Sequence, residues 1–150
     1  MATRKPEPRV TLISLSVNDL KASTKFYHEG LGWALSPRSD DELSFFELKN
    51  IWIALFPKTA FATDVKTELH NGNTAKLSAQ EAQNQPFNGI ALAHNVCSEA
   101  EVDEIMNIAE KAGGKIVSAA EKKFWGGYSG YFRDLDGHFW EVAYDPLSPP

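Results

Sequence analysis

The chain has a single cysteine, Cys97, so it can form no internal disulfide and build no thiolate cluster. A reducing, cytoplasmic setting suits such a chain, and Cys97 is expected to be a small buried or half-buried side chain. Positive charge is also in short supply. Fifteen Lys and Arg against 20 Asp and Glu leave a formal net charge of −5, which argues against the basic surface a nucleic-acid partner requires. No apolar run approaches the roughly 20 residues a helix needs to cross a bilayer. The opening residues lack the apolar segment of a secretion signal, so no membrane partner is expected. There are only four histidines, and no Ser-His-Asp or Cys-His ordering accompanies them. No glycine-rich loop stands in a phosphate-binding context. His28 reads as a solvated residue at a helix end, His138 as a turn residue facing water, and His94 as either directed toward the helix side of its strand or lying at the strand's end. His70 falls in a polar connection.

The 150 residues, 43% of them hydrophobic and 23% charged, suffice for one compact domain. Val10 to Val17 alternates as a strand, with Leu12, Ser14 and Ser16 on one face and Ile13, Leu15 and Val17 on the other. Asn18 or Asp19 then caps a helix running to about Glu29, and Gly30-Leu31-Gly32 stops it. Trp33 to Ser36, Leu43 to Leu48 and Ile51 to Phe56 read as three further strands. The order recurs. Gly89 to Val96 is a strand, and Ser98 caps a helix over 99–112 whose apolar stripe is Val102, Ile105, Met106 and Ala109. Gly113-Gly114 ends it. Lys115 to Ser118 and two aromatic-rich runs follow, joined at Asp134-Leu135-Asp136-Gly137, an Asp-Gly hairpin signal.

The expected class is therefore α+β: two tandem βαβββ modules, at about 9–57 and 88–146, with a polar linker over 58–87 that carries a short helix at 61–68 and nothing catalytic. In the last strand, Phe139, Glu141 and Ala143 share one face, and Trp140 and Val142 the other. A carboxylate thus stands among apolar neighbours.

Val17-Asn-Asp-Leu20, Phe26-Tyr27 through Leu31-Gly-Trp33, and Asp134-Leu-Asp-Gly137 followed by Glu141 together resemble the vicinal-oxygen-chelate superfamily (glyoxalase I, bleomycin-resistance proteins, extradiol dioxygenases). The resemblance spans about Val10 to Pro146. It implies an open, curved sheet around a cavity, a homodimer, and metal ligands on the first and last strand of each module. Carried onto this chain, the four ligand positions fall on Leu12, Ala54, Gly89 and Glu141. Only Glu141 is a donor, so no divalent metal or other cofactor is expected. What remains is an apolar floor with Ser14 on the first strand's inner face. Phe46, Trp52, Trp125, Tyr128, Tyr131 and Phe139 stand as candidate walls, and Glu141 is either an anchor for a polar or cationic group or a general base. The implied function is binding of a small aromatic or cationic molecule, as in the bleomycin-resistance branch. The alternative is a lyase, isomerase or dioxygenase of the glyoxalase type with altered or absent metal dependence.

Overall fold

A computed structural model describes residues 6–69, 75–148 and 150; His70 and the Asn71-Gly72-Asn73 turn lie outside them. Strand β1 (Leu12–Val17) leads into helix α1 (Leu20–Lys25), whose N-cap Asp19 accepts a hydrogen bond from the Ala22 amide. The helix continues as a wider π-type turn over Phe26–Gly30. Strands β2 (Ser44–Glu47) and β3 (Trp52–Pro57) complete the first sheet, in the order β1-β3-β2, with β1 and β3 parallel. Strand β4 (Ala91–Asn95), helix α4 (Glu99–Lys111) and strands β5 (Lys115–Lys122), β6 (Tyr128–Arg133) and β7 (Phe139–Tyr144) form the second, in the order β4-β7-β6-β5. The molecule is α+β with two open sheets. Strands β1 and β4 are each an edge of their sheet.

The second unit has the expected β-α-β-β-β order, but the first does not. Residues 33–36 are not a strand. The Ser36 amide does donate to Phe45 O, but Pro37 has no N–H to extend a ladder, and the Phe45 amide is taken by Ser39 Oγ. The described parts of the linker carry two helices. Helix α2 (Lys58–Val65) starts directly after β3, and helix α3 (Ala79–Ala82) is fixed by a capping box between Ser78 and Glu81. Gln83 just beyond it is buried and donates to the carbonyls of Gly113 and Asp134.

Helix α4 lays Val102, Met106 and Ala109 on the second sheet. Tyr27, Phe46, Ile53, Leu55, Phe132, Trp140 and Val142 form a core shared by both sheets. Its centre is a polar clasp built on the hairpin turn. Asp134, only 1% exposed, accepts from the amides of Asp136 and His138 and from the Tyr27 hydroxyl, and Tyr27 in turn accepts from Trp140 Nε1 at 2.8 Å. Asp136 accepts from the Asn18 amide at 2.6 Å, from Asn18 Nδ2 and from the Ser23 hydroxyl. Burial first, then the Asp134 charge, holds the Tyr27 phenol well above its usual range, so it remains a donor. The turn thus ties helix α1 to the second sheet through two carboxylates.

Two expectations about single residues are overturned here. Cys97 is exposed, because the buried residue at this strand end is its neighbour Val96. His138 is half-buried rather than free in water. Its ring Nε2–H donates to the Ser16 carbonyl at 2.7 Å, pinning β1 to the turn. His94 does point to the helix side, 6.4 Å from the Trp33 ring, and burial lowers its pKa.

Candidate ligand site

Residues directly opposite one another across a ladder share a face. In the first sheet, Leu12 lies opposite Trp52, Ser14 opposite Ala54, Ser16 opposite Phe56 and Phe45 opposite Ala54. In the second, Ala91 lies opposite Phe139, Ala93 opposite Glu141, Tyr131 opposite Glu141 and Ser129 opposite Ala143. The reverse faces form the core; on the first of these faces helix α2 lies against the sheet, its Phe61 ring stacked on Phe56 at 4.8 Å. A recess of about 230 Å³ lies between the β1 and β4 edges, lined by Ser14, Ser16 and Phe139 of these faces, by Ile13, Leu15 and Leu92 of the core side, and by Ile90, His138 and Phe61 of α2.

Of the residues expected to line a cavity, Ser14, Trp52, Tyr131, Phe139 and Glu141 lie on these faces. Phe46 does not. It is fully buried on the core side, 5.9 Å from both the Tyr27 and Trp33 rings, and its neighbour Phe45 takes the outward position. Tyr128 is also on the other side, where its hydroxyl donates to Asp103 of α4 at 2.8 Å. Trp125 sits in the β5–β6 turn with its ring folded over Gly127, so a Cβ on that glycine would fall 1.7 Å from the indole.

Glu141 accepts from Ser129 Oγ, which lies 3.2 Å from its Oε2. Tyr131 is its opposite number in the β6–β7 ladder, and interaction with that carboxylate, with burial, pushes the Tyr131 pKa up to about 12. A carboxylate has about four lone-pair sites, so Glu141 can still accept from a ligand. Replacing it should release the tyrosine. In Glu141→Gln, ultraviolet titration with Tyr131→Phe as the blank is expected to show Tyr131 ionising near the ordinary value of about 10. An unchanged titration would break the pairing of these two groups.

The same ladders test the superfamily's metal site. Ser14 lies five residues before the helix cap Asp19, as Ala93 lies five before the cap Ser98. The equivalent pairs are therefore Ser14 with Ala54 and Ala93 with Glu141. Leu12 instead faces Trp52, and Gly89 precedes β4. Either set offers one carboxylate, against the three protein ligands of a catalytic divalent site. Among the described residues no group of three or more His, Cys, Asp or Glu side chains is placed to hold a metal ion. The residues present do not fit such a centre.

Two features of this region had no local signal in the sequence. His138 reaches a carbonyl 122 residues away, which alternation within β7 cannot reveal. The clasp residues Asn18, Ser23 and Tyr27 read as ordinary helix-start residues until the turn is packed against them.

The family model for the Glyoxalase/Bleomycin resistance protein/Dioxygenase superfamily matches residues 9–142. The chain belongs to that superfamily. Among solved structures it is similar to a glyoxalase-related enzyme from Fulvimarina pelagi, at 33% identity over 94% of this chain and 91% of that one, with a TM-score of 0.79. A hypothetical protein from S. aureus matches with a TM-score of 0.74 at 23% identity, covering 94% of this chain and 96% of that one. A lactoylglutathione lyase from Agrobacterium tumefaciens matches with a TM-score of 0.60 at 22% identity, covering 95% and 98%. At those two identities the likeness concerns the fold alone. No curated protein matches the chain. Among the described residues no helix is long and apolar enough to cross a membrane.

Proposed function

We propose that this superfamily member binds a small aromatic or cationic molecule without a metal. The ligand's apolar part enters the recess between β1 and β4, and a hydrogen-bond donor or cationic group meets Glu141. One observation carries the reading: of the four equivalent positions Ser14, Ala54, Ala93 and Glu141, only the last has a carboxylate. Phe139 connects the two parts. It lines the recess and stands two residues before Glu141 on the same face of β7, a step of about 7 Å. Aromatic and aliphatic walls with a few polar groups are the usual composition of a small-molecule site. A homodimer in the cytoplasm belongs to the same proposal, and light scattering would check its mass.

The reading is tested by elemental analysis of protein purified without added metal, followed by calorimetry with Ni²⁺, Zn²⁺, Fe²⁺ and Mn²⁺. No stoichiometric tight binding is expected, and one ion bound per chain would overturn the proposal. A thermal-shift screen of aromatic amines should then give hits whose affinity falls about tenfold in Glu141→Gln, the loss of one charge-assisted contact.

A second reading is a metal-independent lyase or isomerase. It draws support from the Fulvimarina protein, which is described as a glyoxalase-related enzyme. Under it Glu141 acts as the general base, and Glu141→Gln would keep substrate binding while losing turnover.

A further inference from the structure

A second recess lies on the same face of the first sheet, away from Glu141. It has a volume of about 300 Å³ and is lined by Thr11, Leu12, Arg38, Phe45 and Trp52. The Arg38 guanidinium lies over the Trp52 ring, 5.7 Å from its centroid, and the Phe45 ring meets Trp52 edge-on at 6.3 Å and 71°. Leu12 and Trp52 are opposite one another in the β1–β3 ladder, so these groups are held by paired backbone rather than by a loose loop. Arg38 itself sits in the connection before β2, and its amide is tied to Ser36 Oγ.

The charge is unanswered. Among the described residues the Arg38 side chain has no ion pair and no hydrogen-bonded acceptor. Glu47 lies opposite Trp52 in the β2–β3 ladder, yet it makes no ion pair with Arg38. A guanidinium stacked on an indole loses side-chain freedom but keeps its edge donors, and that planar fork matches a carboxylate bidentately. The space beside it is apolar and aromatic, and large enough for one ring.

We infer that Arg38, Trp52 and Phe45 form a binding site for a single-ring aromatic carboxylate. The ligand's ring packs between Leu12 and Phe45, and its carboxylate takes the guanidinium edge. The inference does not rest on the reading of Glu141, which lies in the other sheet and selects for the opposite charge.

Benzoate is the probe, with its uncharged analogue benzamide, acetate and inorganic phosphate as comparisons. Binding is read by NMR from the Trp52 indole N–H, assigned through its loss in Trp52→Phe. Saturable benzoate shifts are expected, with benzamide and acetate each at least about tenfold weaker, since each lacks one half of the recognition. Arg38→Gln should weaken benzoate about tenfold, Glu47→Gln should strengthen it, and Glu141→Gln should leave it unchanged. Equal affinity for benzoate and benzamide, an unaffected Arg38→Gln, or a preference for phosphate over benzoate would each overturn the inference. Because Arg38 and Glu47 are exposed, both variants are expected to fold. The Glu141→Gln arm separates failure here from failure of the recess reading.

Discussion

Asp134→Ala is expected to cost about 3–5 kcal/mol of folding free energy, measured by urea denaturation, because it removes the acceptor at the centre of a buried network. Three donors would lose their partner at once: the amides of Asp136 and His138 and the hydroxyl of Tyr27. The Tyr27 hydroxyl cannot turn to water, since Tyr27 is 0% exposed, and the two amides belong to half-buried residues of the turn. The effect should also carry a pH signature. Burial, and after it the Asp134 charge, raises the Asp136 carboxyl above its ordinary range. An acid whose folded-state pKa is raised contributes stability below its unfolded pKa and loses it as pH rises through the folded value. Wild-type stability should therefore carry a component that declines with rising pH across that elevated range. In Asp134→Ala one of the two causes is gone, and the decline should move to lower pH. A loss under about 1 kcal/mol, within the span of ordinary surface substitutions, or a pH profile superimposable on wild type, would show that the clasp does not hold helix α1 to the second sheet.

Gly137→Ala should be nearly as damaging, at about 3 kcal/mol, for a steric reason. Gly137 has φ of +86°, and a Cβ there would fall 2.3 Å from the Ala82 carbonyl oxygen and 3.0 Å from its carbon. The conformation alone costs an L-residue about 1–2 kcal/mol. The overlap adds more because its target is backbone at the end of α3, in the arm that Gln83 fastens to Gly113 and Asp134. Gly126→Ala is the control. Its φ is +94°, but nothing lies within 4 Å of its Cβ, so only the conformational cost of about 1–2 kcal/mol should appear. Thermal melts of both variants decide the matter. Equal losses would mean that α3 yields freely and that the arm is not a fixed part of the structure.

The clasp illustrates how far sequence reading reaches. Asp134-Leu-Asp-Gly137 is legible as a turn because glycine and aspartate have local conformational preferences. That both carboxylates turn inward toward Asn18, Ser23 and Tyr27 has no local cause. It follows from packing helix α1 against a hairpin more than one hundred residues away.

Face assignment divides the same way. Within β6, alternation alone separates Tyr128 from Tyr131, which are three positions apart and cannot share a face of a regular strand. A consistent count would have placed only one of them beside Glu141. Phe46 is different. Whether it or Phe45 faces outward depends on Phe45 pairing with Ala54, and a slip of one residue would exchange them.

The chain's own order of residues determined the strand-helix repeat, the capped starts of α1 and α4, the turn at Gly137, and the single carboxylate of the closing strand, because each depends on neighbours a few positions apart. Only the tertiary structure decided which aromatic rings face outward, that His138 reaches Ser16, and that Arg38 lies on Trp52 without a counter-charge. Those contacts join segments whose separation along the chain is set by how the ladders register, and register is a property of two strands, legible in neither alone.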